Sequence, residues 1–370
     1  MSDQVGGVRD EAAPGGAIGS RLAVWRGRRG LGPGELGELS GVSASRIGRW
    51  ERGEDWVDRR GQLAALAGVL GVGVGELTGQ PYPPVGDAHI AVRAAAFQLR
   101  RQFAEARTPP PPGTGPGHPM RMASDAEAAG DEQVLAGVLP GLIATAEGGS
   151  RALADALAAG LLRRLGYGDL AWLYLHRARA GGGAERVVLL EEIRLLTDLG
   201  LPEHAVARAE RGMGTIGDPE SLALLAFARA AAGRRRDAEE ALTTAARRAD
   251  DERAVAIVTA TRAAVAVECG APDEAVEHAR ATDPAALSPA ARTRLLTVTA
   301  TAAARLGDVP RAIGDLLEAE ATAPLRLRLD PWVRELITAL AHRAKHASPR
   351  FGDLLGLAER TGLRPDGRLT

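Results

Sequence analysis

Residues 31–53 read LGPGELGELSGVSASRIGRWERG, and this stretch decides the fold. Its pattern predicts two short helices joined by a tight turn, Ser40-Gly41-Val42-Ser43. Gly41 supplies the positive φ that such a turn needs. Ser43 stands where an N-cap belongs and opens a second helix over 44–51, which Gly53 stops. Leu36, Leu39, Val42, Ile47 and Trp50 are spaced to face one core, and Gly37 is small enough to let the helices cross closely. Arg46 and Arg49 fall one turn apart on the outer side. The pattern is that of a helix-turn-helix with its second helix presented to a groove.

The flanks extend this unit. Upstream, Ile18, Leu22 and Trp25 recur at i, i+4 and i+7 among Arg21, Arg26, Arg28 and Arg29, predicting a first helix that Gly30 ends. Downstream, Leu63, Leu66, Ala67 and Leu70 predict a fourth helix closed by Gly71, and Glu76-Leu77 a last short turn. The run Gly79-Gln80-Pro81-Tyr82-Pro83-Pro84 then breaks the pattern. The expectation is a five-helix domain over 17–79, preceded by a disordered tail over 1–16. A connecting helix is predicted over 88–107, with Ile90, Ala94, Phe97, Leu99 and Phe103 roughly on one side. A Pro/Gly-rich linker is expected over 108–131, since nine of the eleven residues 109–119 are Pro or Gly.

Residues 132–363 read as helical and repetitive. Gly-x4-Ala recurs at Gly166/Ala171, Gly200/Ala205, Gly233/Ala238, Gly270/Ala275 and Gly307/Ala312, with glycines 34, 33, 37 and 37 residues apart. An apolar residue precedes each glycine, Cys269 among them, and we assign that cysteine to core packing. Each unit is expected to be a helix, a glycine turn and a second helix packed closely through alanine. A unit of that size cannot bury its apolar face alone, so stacking in series is the stable solution. The fold class is therefore all-α, ending in an α-solenoid.

Composition narrows the function. Aromatics are only 3% of 370 residues, so the core is built of Ala, Leu and Val, which favours helix on helix. The net charge of −1 excludes a chain that is basic throughout, but residues 18–107 hold thirteen arginines against nine acids. A local positive excess suits contact with phosphates. One cysteine excludes an intrachain disulfide framework and fits a reducing compartment. With no apolar leader and no run of membrane-spanning length, we expect a cytoplasmic protein with no membrane partner. His342 and His346, four apart, lack the further ligands of a zinc site. Gly71-Val72-Gly73-Val74-Gly75 imitates a nucleotide-binding loop but follows a helix rather than a strand. No catalytic set assembles either, so we expect no enzyme, no cofactor and no metal.

The stretch 18–79 resembles the Cro/C1-type (XRE-family) helix-turn-helix. The resemblance is carried by Ile18 to Leu22, Gly30-Leu31, Glu35-Leu36, Ser40 to Ser43, Ile47, Trp50 to Gly53, Leu66-Ala67 and Leu70 to Val72. It implies that Ala44, Ser45 and Arg49 reach base edges, with Arg46 on a base or phosphate, and that Arg26 pairs with Glu51. Ser43 is a further expected DNA contact, and Arg21, Arg52, Arg59 and Arg60 are the candidates for the DNA backbone. The chain departs from the family at Pro33, at the helical glycines Gly34 and Gly48, and in two additional residues around Asp55-Trp56-Val57. The repeats resemble tetratricopeptide units without their usual aromatics, and the whole looks like an actinobacterial type of regulator. That resemblance implies a double-stranded DNA operator, a homodimer, nucleoid association when bound, and a body that takes a peptide, protein or small ligand. An interaction scaffold with a vestigial head is the alternative.

Overall fold

The computed structural model describes residues 17–104, 117–212, 217–344 and 349–363, and within them every regular element is a helix. The expected tail over 1–16, the stretch 105–116 and His346 lie outside the described residues.

The head comprises α1 (Ala17–Arg28), α2 (Pro33–Ser40), α3 (Ala44–Glu51), α4 (Arg60–Leu70) and α5 (Val74–Thr78). Gly30, Gly41, Gly53, Gly71 and Gly79 all take positive φ just after these helices, so glycine marks each stop. Ile18, Leu22, Leu36, Val42, Ile47, Trp50, Leu63, Leu66, Leu70 and Leu77 form one buried cluster. Gly37 sits against the turn: a Cβ there would lie 2.7 Å from the Val42 carbonyl oxygen. Leu39 is not in this core but 65% exposed. The buried stripe of α2 runs between Leu36 and Gly37, and Leu39 lies about 110° round the helix from it.

Then come α6 (Gly86–Ala104), α7 (Gly117–Ala129) and α8 (Glu132–Thr145). α7 corrects the expected linker, because a helix with Ala123 and Ala126 buried occupies much of 108–131. The inward face of α6 is Val92, Ala95, Ala96 and Leu99, whereas Ile90 and Phe97 are exposed, so the predicted stripe is rotated from the true one.

Five helix pairs follow: α9 (Gly148–Arg164) with α10 (Gly168–Gly181), α11 (Glu185–Asp198) with α12 (Pro202–Arg211), and α13 (Pro219–Ala231) with α14 (Arg235–Arg248). The last two are α15 (Glu252–Glu268) with α16 (Pro272–Arg280) and α17 (Pro289–Arg305) with α18 (Val309–Thr322). The repeat glycines 166, 200, 233, 270 and 307 occupy the five turns with φ between 77° and 85°. Their alanine partners are fully buried, 0% exposed at all five positions, which leaves no room for a larger side chain. The residue before the glycine is not uniformly core, since Leu199 and Leu306 are exposed. Cys269 is half-buried against the cluster around Leu242 and Val265, as partial packing.

First helices of successive pairs touch one another, and each second helix touches the next first helix, so the array curves with its first helices inside. α19 (Pro324–Leu329), α20 (Pro331–Ala344) and α21 (Phe351–Arg360) complete the chain. The curve closes where α7 and α8 meet α17 and α19. At that junction Glu132, 0% exposed at its side chain, accepts from Arg326 Nε at 2.7 Å, and Glu127 accepts from Arg164 Nη2 at 2.7 Å. The result is an all-helical, repeat-like body with the head seated along its row of glycine turns.

Candidate nucleic-acid interface

The turn Gly41–Ser43 delivers α3 with its first residues outward. Ser43, Ala44 and Ser45 are exposed, and the Arg49 side chain keeps 46% of its surface accessible. Ser43 holds the N-cap position through its backbone: its carbonyl accepts the N–H groups of Arg46 and Ile47, while its hydroxyl caps nothing. On the opposite face Ile47 and Trp50 are fully buried. α1 clasps the end of α3, with Arg26 Nε and Nη2 donating to the two Glu51 oxygens at 2.7 and 2.8 Å. Arg26 Nη1 also donates to the Leu31 carbonyl at 2.9 Å, tying the α1–α2 turn into the same clasp. α1 and α3 approach so closely that a Cβ on Gly19 would lie 1.9 Å from the Trp50 carbonyl oxygen.

Residues 17–79 match the family model of a helix-turn-helix domain. The chain matches no curated protein. Within the helix-turn-helix domain the expected contact residues divide into two groups. Ser43, Ala44, Ser45 and Arg49 face outward together. Arg52 is also outside, in a two-bond pair with Glu54 at 2.7 and 2.9 Å.

The other arginines are turned toward the body. Arg21, expected on the DNA backbone, instead donates to the Thr78 carbonyl and lies near Glu335 of α20. Arg60 lies over the rings of Phe227 and Trp332 and beside Asp198 and Glu268. Arg59 is packed against Gly270 and Asp58. Arg46 is half-buried over Trp50, with a buried Nε that has no hydrogen-bond partner among the described residues. Burial and the nearby Arg59 guanidinium lower its proton affinity, against the opposing pull of Asp58.

The seat itself uses residues that sequence reasoning did not assign to function. The loop between α3 and α4 places Trp56, 2% exposed, among Ala300, Ala304, Leu336 and Leu340 of the body rather than in the head core. Arg305, the last residue of α17, holds that loop: it donates to Asp55 at 2.6 Å, to the Trp56 carbonyl at 2.7 Å and to Asp58, with its guanidinium 3.6 Å from the Trp56 ring centre. Arg343 of α20 lies over the same ring at 4.4 Å and donates to the Glu54 carbonyl. Burial alone would push the Asp55 carboxyl up, but Arg305, the Trp56 N–H and Arg343 together hold it below its ordinary value. The sequence signal for this loop was its two additional residues.

Close approaches continue along the turns. A Cβ on Gly166 would lie 2.6 Å from Gln80 Cβ, and one on Gly200 would lie 2.5 Å from Val74 Cγ2. Gly61 meets the Ala231 carbonyl and donates its N–H to Glu268 at 2.8 Å. Between α4 and the second to fourth turns a cavity of about 620 Å³ opens, lined in part by Gln62, Ala65, His204, Arg235 and Cys269. His342, from the possible zinc pair, lies with Nδ1 2.9 Å from the Thr338 carbonyl oxygen. Among the described residues no helix is long and apolar enough to cross a membrane.

Proposed function

We propose that the chain is a sequence-specific DNA-binding transcription regulator of the XRE type, whose α3 reads the major groove. The observation that carries this is the outward cluster Ser43, Ala44, Ser45 and Arg49 on a helix clamped at its far end by Arg26 and Glu51. A helix N-terminus with short side chains lies close to the bases and phosphates. Arginine one turn further along can donate two bonds to guanine O6 and N7. Base readout then rests mainly on Arg49, with Ser43 and Ser45 on phosphate or water. The body is a tetratricopeptide-like array that pairs two copies for two half-sites and senses a ligand, without catalysis, in the cytoplasm. Enrichment of duplexes from a random pool by the full chain tests this reading. Arg49→Ala should then cost about 1–3 kcal/mol at one base position and relax preference there. An Arg49→Ala protein with unchanged affinity and preference removes Arg49 as the reader.

The second reading, an interaction scaffold with a vestigial head, is favoured by the seat that engages Arg59 and Arg60. Failure of the full chain to enrich any duplex at moderate salt would favour it.

A further inference from the structure

We infer that the cavity between α4 and the turns of the second to fourth helix pairs binds a small amphipathic anion, a carboxylate on an apolar body, through Arg59. The site stands whether or not α3 reads DNA. Its space is about 620 Å³, a size that holds small organic molecules. Alanine, glycine and backbone make up most of the wall, with Ala64 and Ala65 from α4 and Leu201, Pro202 and residues 230–232 from the body. Such a wall favours an apolar body over water. Arg59, just before α4, supplies the charge. Its Nη2 lies 2.0 Å from where a Cβ on Gly270 would stand, so the turn glycine leaves the room that the guanidinium occupies. Its Nε is buried with no hydrogen-bond partner among the described residues. The carboxylate in ion-pair range there, Asp58, is 4.0 Å away and already accepts from Arg305.

The other charges of the wall have partners of their own. Arg235 pairs with Glu239 at 2.7 Å and Glu274 at 2.9 Å, and Glu203 lies 3.7 Å from Arg234. Glu268 accepts the Gly61 N–H at 2.8 Å, and burial raises its carboxyl above the ordinary value against the pull of Arg60. That leaves Arg59, whose side chain keeps 24% of its surface accessible, as the group short of an acceptor. A carboxylate can take two parallel bonds from a guanidinium while its apolar body lies on the alanines. Gln62 Oε1 is also buried without a partner among the described residues, so that amide gains by turning to an occupant. Head and body both contribute to the wall, so an occupant joins one to the other. A ligand that binds the seated form alone stabilises the seat by mass action.

The chain's one cysteine makes the test direct, because Cys269 lines the same cavity half-buried. Octanoate is the probe, with octanamide as the uncharged control on the same body, both added to the full chain. Three quantities are read: calorimetric affinity, the rate of Cys269 alkylation by iodoacetamide, and hydrogen exchange over residues 59–65. Octanoate should bind and slow both alkylation and exchange, and octanamide should bind at least about tenfold more weakly. Arg59→Gln should weaken octanoate by a similar factor, roughly tenfold or more, whereas Arg235→Gln should change it less than about twofold. Ala65→Leu, which fills the space, should abolish binding. Alkylation is compared as the ratio with and without octanoate, so that a variant's altered resting exposure cancels. Equal binding of octanoate and octanamide, or wild-type affinity in Arg59→Gln, overturns the anion assignment. Equal protection by inorganic phosphate overturns the apolar body. Binding that leaves Cys269 alkylation and exchange unchanged places the occupant elsewhere, and absence of binding removes the site altogether. Enrichment of duplexes is a separate measurement, so the DNA reading and this site fail independently.

Discussion

Arginine chemistry is where single residues decide what this protein does. Six of the expected DNA contacts are arginines of the head, yet burial and partner separate them. Arg49 is accessible and Arg52 lies outside with Glu54, whereas Arg21, Arg59 and Arg60 close the seam. Arg26 is different again: a two-bond pair with a carboxylate whose side chain is 11% exposed is a structural clasp. Removing one partner leaves the other poorly solvated, so Arg26→Ala should lower head stability by about 1–3 kcal/mol. Chemical denaturation followed by tryptophan fluorescence would measure it, and a loss within error would mean that solvent replaces the clasp. The Arg26–Glu51 pairing was legible from the resemblance. The inward turn of Arg21 was not, because its acceptor Thr78 and neighbour Glu335 are 57 and 314 residues away.

At the scale of the element, glycine reports two opposite situations. Gly19 in α1 lies against the α3 backbone, and a methyl group there has nowhere to go. Gly19→Ala should cost several kcal/mol, on the order of 3, as an overpacking change against backbone. Gly34 in α2 faces open space, and Gly48 in α3 faces only the guanidinium of Arg52. Alanine at Gly34 should therefore stabilise the head by about 0.5–1 kcal/mol through helix propensity alone. A thermal midpoint for Gly34→Ala below that of the wild type would contradict this. Gly34 was legible from sequence as a glycine inside a helix. Gly19 carried no such signal, since close approach of two helices is a property of their crossing. The same distinction explains Leu39 and α6. Periodicity shows that a stripe exists, but neighbours choose which side is covered.

For the whole molecule the seam between head and body is the organising feature, and it has its own titration. Glu335 of α20, 1% exposed, accepts the Ile18 N–H at 3.0 Å and has its carboxyl raised from an ordinary 4.5 to about 7. Burial is the main cause, and the Ile18 N–H, Arg21 and the Val57 N–H pull the other way. A carboxyl raised in the folded state binds its proton more tightly there than when unfolded. Its contribution therefore favours folding at low pH, declines as pH climbs from about 4.5 to about 7, and is flat above. Other groups titrate in the same range, so the comparison is with Glu335→Gln. That variant should gain stability relative to wild type as pH rises to 7, read as a growing difference in thermal midpoint. A difference that stays constant from pH 5 to 8 would mean that Glu335 is already ionised throughout.

The sequence by itself determined the helices of the head, their stops and the repeat. These depend on residues within one or two turns of each other: a positive φ at Gly41 or Gly200, a cap position at Ser43, an alanine five residues after each turn glycine. It also showed where the chain departs from its resemblance, at Asp55-Trp56-Val57. Only the tertiary structure decided what that departure is for. Asp55 meets Arg305 across 250 residues, and Trp56 finds its core in α17 and α20 rather than in the head. Local pattern cannot carry such information, because burial and charge pairing are set by whichever surfaces the closed array brings together. The helix-turn-helix is written in residues 31–53, and where the loop that follows it is anchored is settled by the body.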